Sequence, residues 1–197
     1  VGVPCTDQNC LLVRINEDGG AKINNILKGP ISLYRQTNAL GFAKIAEQYL
    51  EHSTLSPIDG TLDCQNTYVV VIGDGAWSGS AVGTSGSNDH YQAYRRIKSL
   101  KRGDNTPGKK SVKTYTIAYG NISGPAKDKF DHMARAGGTG AAYIANDAAV
   151  LKTQLGLVIS TILTSGLSYT SPAITGTIES NANLYQAQFD YFPDKEW

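Results

Sequence analysis

Thr67-Tyr68-Val69-Val70-Val71-Ile72-Gly73-Asp74-Gly75 is the stretch whose reading decides the fold. A continuous apolar run rich in β-branched residues and closed by Gly-Asp-Gly reads as a strand buried on both faces. Such strands belong to parallel sheets flanked by helices. Open sheets of that kind bind ligands just beyond the carboxyl ends of their strands. Asp74 stands at that end. Its carboxylate is either a functional group or a turn residue holding its own loop by hydrogen bonds.

Downstream, residues 76–87 are rich in Gly and Ser around Trp77 and read as a loop at the ligand-binding end of the sheet. Ser87 or Asn88 can cap a helix running to about Arg102, with Tyr94, Ile97 and Leu100 inward. Residues 112–119 read as a second strand. A helix over 126–136 follows, with Phe130, Met133 and Ala134 inward and Gly137-Gly138 as its left-handed cap. Residues 141–145 form a short strand. Asp147 opens a helix with Leu151, Leu155, Val158, Ile159 and Ile162 on one face.

Upstream, residues 10–16 read as a strand. Residues 21–28 form a short helix with Ile23, Ile26 and Leu27 on one face, stopped by Gly29-Pro30. A helix from about 38 to 52 is apolar on two sides, through Leu40, Ala43, Ala46 and Leu50 and through Phe42, Ile45 and Tyr49, and should be well buried. The alternation of strands and helices is that of a three-layer α/β domain with a mostly parallel sheet. Residues 165–197 break the pattern: 183–192 alternate and are aromatic, a strand with no following helix.

The chain has 197 residues, 41% of them apolar, enough for one medium domain, and no run approaches the length of a membrane span. A formal net charge of +1 argues against a nucleic-acid surface, and the short clusters at Arg95-Arg96 and Lys109-Lys110 read as solvated faces. Cys5, Cys10 and Cys64 fit no zinc template. They are either two partners of a disulfide and one thiol, in an exported protein, or three reduced cysteines. His52, His90 and His132 accompany no nucleophile motif and read as helix-surface residues. Asn121-Ile122-Ser123 is a glycosylation sequon of a kind frequent by chance. The opening at Val1, with neither initiator Met nor signal peptide, suggests a piece of a longer polypeptide.

Four segments together resemble the von Willebrand factor A domain: residues 69–75 its strand ending in Asp-Gly, 114–120 its next strand, 130–145 its following helix, Gly-Gly turn and strand, and 151–162 its last helix. The likeness covers about residues 10–164. Residues 10–13, 64–70 and the tail with Ser171-Pro172-Ala173, 183–189 and Trp197 resemble more narrowly the PilY/PilC type, tip-located adhesins and assembly factors of bacterial type IV pili. In that family an A-type domain precedes a β-propeller. The resemblance therefore implies a partial A-type domain over 1–164 and, over 165–197, a linker and β tail leading toward the propeller. It implies export through the periplasm to the cell surface, and a non-enzymatic adhesion or assembly role. The partners would be pilus minor subunits, a host or abiotic surface, and the rest of a longer chain.

A-type domains often hold a divalent cation, Mg or Ca, with oxygen ligands from three loops. Asp74 matches the family's third-loop Asp and Thr37 its second-loop Thr, although Asn38 stands where Pro is usual. The first-loop Asp-x-Ser-x-Ser occurs nowhere in the sequence, so the sheet's middle strand and its following helix should be missing as well. Thr37 is otherwise a helix N-cap. Trp77, with Ser78 and Ser80, is the candidate partner contact; the alternative is an indole tucked under its own loop. Two other functions compete. One is a dinucleotide-binding enzyme, since Gly73-Asp74-Gly75 superficially resembles that class's Gly-rich turn, although Ser78 occupies the third Gly position. The other is a structural spacer without a metal site.

Overall fold

Val112–Tyr119 (β2) carries side chains that suit burial on both faces, and two other strands flank it. Thr67–Gly73 (β1) lies parallel along one edge, with Thr67 opposite Val112 and Gly73 opposite Ala118. The expected burial on both faces is corrected, because Val70 and Ile72 on one side of this edge strand are exposed. Tyr143–Ala145 (β3) lies parallel along the other, with Ile117 opposite Tyr143 and Tyr119 opposite Ala145. The computed structural model describes residues 13, 15, 18–28, 39–74, 77 and 89–166. Among these the architecture is α/β: five helices and a three-stranded parallel sheet in the order β1-β2-β3, consistent with a Rossmann-like fold.

Alternation along parallel strands sorts the side chains onto two faces. On one, Val69, Val71, Val112 and Ala118 pack with Asp89–Arg102 (α3), through Ala93, Tyr94, Ile97 and Leu100, and with Gly124–Ala136 (α4), through Phe130 and Met133. Ala39–Leu50 (α2) joins the same layer beside α3, burying Ala39, Ala43, Tyr49 and Leu50. An ion pair from Arg96 to Glu47 ties α3 to α2. All the inward residues expected of α3 and α4 are buried there.

On the other face Ala148–Gly166 (α5) lies alone among the described residues. Leu151, Leu155, Val158 and Ile162 pack on Tyr115, Ile117 and Ala145. Ile159, expected on the same stripe, is 48% exposed instead, because the contact with so narrow a sheet admits one row of side chains. Asp147 caps α5, its carboxylate accepting the Val150 amide at 2.8 Å. By length and composition α5 could cross a membrane: residues 148–165 have a mean hydropathy of 1.4. This corrects the expectation that no run approaches that length, although a helix packed on a sheet passes the same test.

The turn after α4 shows why two glycines stand in a row. The amides of Gly138 and Thr139 donate to the carbonyls of Arg135 and Ala134 at 3.1 and 2.9 Å, a Schellman closure. Its left-handed residue is Gly138, with φ of +79°.

Two upstream expectations change. Val13 and Ile15, the described residues of the expected strand over 10–16, are bends; Ile15 is exposed, and its amide donates to the Tyr49 hydroxyl at 3.0 Å instead of to a strand. Gly19–Lys28 (α1) forms, but Ile23 and Ile26 of its expected apolar face are 49% and 37% exposed. The expected β tail lies outside the described residues.

Candidate functional site

The carboxyl ends of β1, β2 and β3 bring Asp74, Gly120 and the end of Ala145 to one side of the sheet, where the Gly120 amide donates to the Ala145 carbonyl at 2.8 Å. Asp74, one residue past β1, is exposed, and no hydrogen bond or ion pair engages its carboxylate among the described residues. Apart from Trp77, the loop that the turn-residue reading would have it bond, residues 75–88, lies outside the described residues. An exposed carboxylate at the mouth of a parallel sheet is placed where such sheets bind ligands.

Trp77 adopts the tucked arrangement. It is 3% exposed, with its ring 4.5 Å from that of Phe130, 6.1 Å from Phe42 and 6.2 Å from Tyr94. As a partner contact the indole is therefore corrected: its area is spent on three aromatic neighbours inside the domain. Lys129 donates from Nζ to the Trp77 carbonyl at 3.0 Å, and the Tyr94 hydroxyl donates to the Lys129 carbonyl at 3.1 Å. These contacts pin the chain four residues beyond Gly73 to α4 and fix where Asp74 emerges. Gly73 is needed for the same packing, since a Cβ there would come within 3.0 Å of the Phe130 ring. Burial pushes the Tyr94 phenol up to about 12, with Tyr91 adding to the rise and Arg135 opposing it.

Lys129 and Phe130 escaped functional notice in the sequence because they read only as one exposed and one inward position of α4. His90, Tyr91 and His132 ring Tyr94, with centroids 5.7, 6.0 and 5.8 Å from it. The third histidine, His52, accepts the Thr54 and Leu55 amides on Nδ1, both at 3.1 Å, and so shapes the turn after α2.

Thr37, Ser78, Ser80, Cys5 and Cys10 lie outside the described residues. Cys64 is exposed with a free thiol, so it takes no part in a disulfide here. No group of three or more His, Cys, Asp or Glu side chains that could hold a metal occurs among the described residues. Asp74 supplies one carboxylate, well short of the six or more oxygens that Ca or Mg surrounds itself with, so this set alone does not fit a cation. Compared with known protein families, curated proteins and solved structures, the chain matches none.

Proposed function

We propose that this chain is part of a von Willebrand factor A-type domain in a type IV pilus tip adhesin or assembly factor of the PilY/PilC type. It works by binding, without catalysis, at the bacterial cell surface. The observation that carries the reading is the position of Asp74: its carboxylate is exposed and has no partner among the described residues, at the carboxyl end of a parallel strand that is the edge of the sheet among those residues. In an A-type sheet the strand carrying this Asp would lie beside the middle strand with the Asp-x-Ser-x-Ser loop, which this sequence lacks. The uncovered apolar side chains Val70 and Ile72 on that strand support a missing neighbour and its helix. A β tail toward a propeller belongs to the same reading.

A divalent cation would then need Asp74, Thr37 and ligands from that further strand. Thermal melting of the intact parent polypeptide with and without Mg or Ca tests this. A cation-dependent rise in Tm that Asp74→Ala abolishes supports the adhesive site; no rise leaves the structural spacer. Attachment of piliated cells carrying Asp74→Ala tests the function itself, with loss of attachment at unchanged pilus number expected.

The dinucleotide-binding alternative is less well supported. Such folds enter a helix directly from the Gly-rich turn, so that the helix N-terminus faces the pyrophosphate. Here Trp77, only four residues after Gly73, is in an extended bridge.

A further inference from the structure

An open trough of 580 Å³ runs along the flank of α3 beside α2, away from the carboxyl ends of the strands. Arg95, Lys98 and Arg102 line it from one face of α3. Spacings of three and four residues stack their side chains into a row about 10 Å long, at 1.5 Å rise per residue. Arg95 and Lys98 have no ion pair or hydrogen bond among the described residues. Arg102 has only Asp104, at 4.0 Å. The two carboxylates in the trough are already used: Glu47 by Arg96, and Asp104 by the Ser99 hydroxyl at 3.2 Å and by Arg102. Among the described residues, four cations against two anions leave the trough with an excess of two positive charges on a chain whose net charge is only +1. Gln92 and Ser99 supply neutral polar groups between them.

We propose that this trough binds a polyanionic polysaccharide, a sugar chain bearing sulfate or phosphate groups. Guanidinium and ammonium groups in a row suit successive oxyanions along an extended chain. The neutral amide and hydroxyl suit the sugar hydroxyls between the charges. Nucleic acid fits less well. Among the described residues the lining has no aromatic ring on which an unpaired base could stack. The row is also too short for the phosphate contacts of a duplex-binding surface, about 6–10. The inference does not depend on the pilus reading or on Asp74.

Retention of the full chain on dextran sulfate beads, with neutral dextran as the blank, tests it across a salt series. Arg95→Gln/Lys98→Gln/Arg102→Gln should weaken binding at least tenfold and lower the slope of log affinity against log salt by about 2. The control Lys22→Gln/Lys28→Gln/Lys152→Gln removes the same charge from exposed positions elsewhere and should bind as the parent does. Circular dichroism of both variants checks that the helices persist. Equal losses in the two variants, no retention of the parent chain at low salt, or stronger competition by a DNA duplex than by free dextran sulfate at equal charge would each overturn the proposal.

Discussion

On one face of the sheet Val112, Thr114, Thr116 and Ala118 are completely buried, in the layer that packs on α3 and α4. On the other, Ile117 and Tyr115 lie under α5, while Val70 and Ile72 are 38% and 49% exposed. Apolar side chains stand on both sides of the strands. The difference lies in the helices: three form the first layer, whereas α5 reaches β1 only at its start, where the Tyr68 and Ser165 hydroxyls meet at 2.9 Å. Stability in this part of the molecule should therefore reside on the first face, and the upper half of β1 should contribute little side-chain burial on the second.

The sharpest way to break that contrast is a pair of truncations. Phe130→Ala removes a fully buried ring that packs on Trp77, and should cost about 3–5 kcal/mol. Ile72→Ala should cost under about 1 kcal/mol, as an exposed position does. Urea unfolding at constant slope measures both. Comparable losses would mean that the second face is as well packed as the first.

Asp131 comes next. Its carboxylate is buried, accepts Lys127 Nζ at 2.5 Å and the Ala142 amide at 2.9 Å, and so ties α4 to the approach to β3. Burial pushes its pKa up, but the hydrogen bonds from Lys127 and Ala142 and the charges of Lys127 and Arg135 outweigh that and hold it below the ordinary carboxylate range. A depressed folded-state pKa means stability that is complete above about pH 4 and is lost as pH falls through the folded value. Asp131→Ala, which also strands the Ala142 amide, should cost about 1–3 kcal/mol at neutral pH. The variant should show a shallower decline than the parent in melting temperature below pH 4.

At the same layer's edge, Gly138→Ala places a Cβ at φ of +79° and should cost about 1–2 kcal/mol, read as a lower Tm. The opposite sign is expected within the first face. Thr116 is fully buried and its hydroxyl has no hydrogen-bond partner, so Thr116→Val should raise stability by about 1 kcal/mol. A loss there would show that the hydroxyl is engaged after all.

These two faces also explain what could be read from the sequence. The inward residues Tyr94, Ile97, Phe130 and Met133 were legible because each repeats the period of its helix against a complete partner layer, whereas the run 67–73 showed a strand but not that Val70 and Ile72 lie on an exposed side of it. Ile23, Ile26 and Ile159 misled for the converse reason. Periodicity reports which face is apolar, not whether anything covers it, and here nothing described does. Asp74 was legible from its place after the strand. The burial of Trp77 was not, because it depends on Phe42, Tyr94 and Phe130, which lie 35, 17 and 53 positions away in the sequence. The row Arg95, Lys98 and Arg102 can be seen as a spacing, but that Arg95 and Lys98 lack carboxylate partners among the described residues depends on Glu47 pairing with Arg96 and Asp104 with Arg102.

The smallest effect is the most discriminating for the open face. Ile72→Lys puts a charge on a side chain that is half exposed, and a lysine there can lay its stem on the sheet and keep its ammonium in water. In this chain alone the change should fall within about 0.5 kcal/mol in either direction and reduce self-association, as charges on edge strands do. In a longer parent polypeptide the prediction reverses. If a further strand and helix cover β1 there, the same ammonium would be desolvated without a partner, and the cost should rise to several kcal/mol. Measuring Ile72→Lys in both contexts distinguishes a face that is open by nature from one that another segment closes. Equal, negligible effects in the two would remove the support that the exposed Val70 and Ile72 give to a missing neighbour.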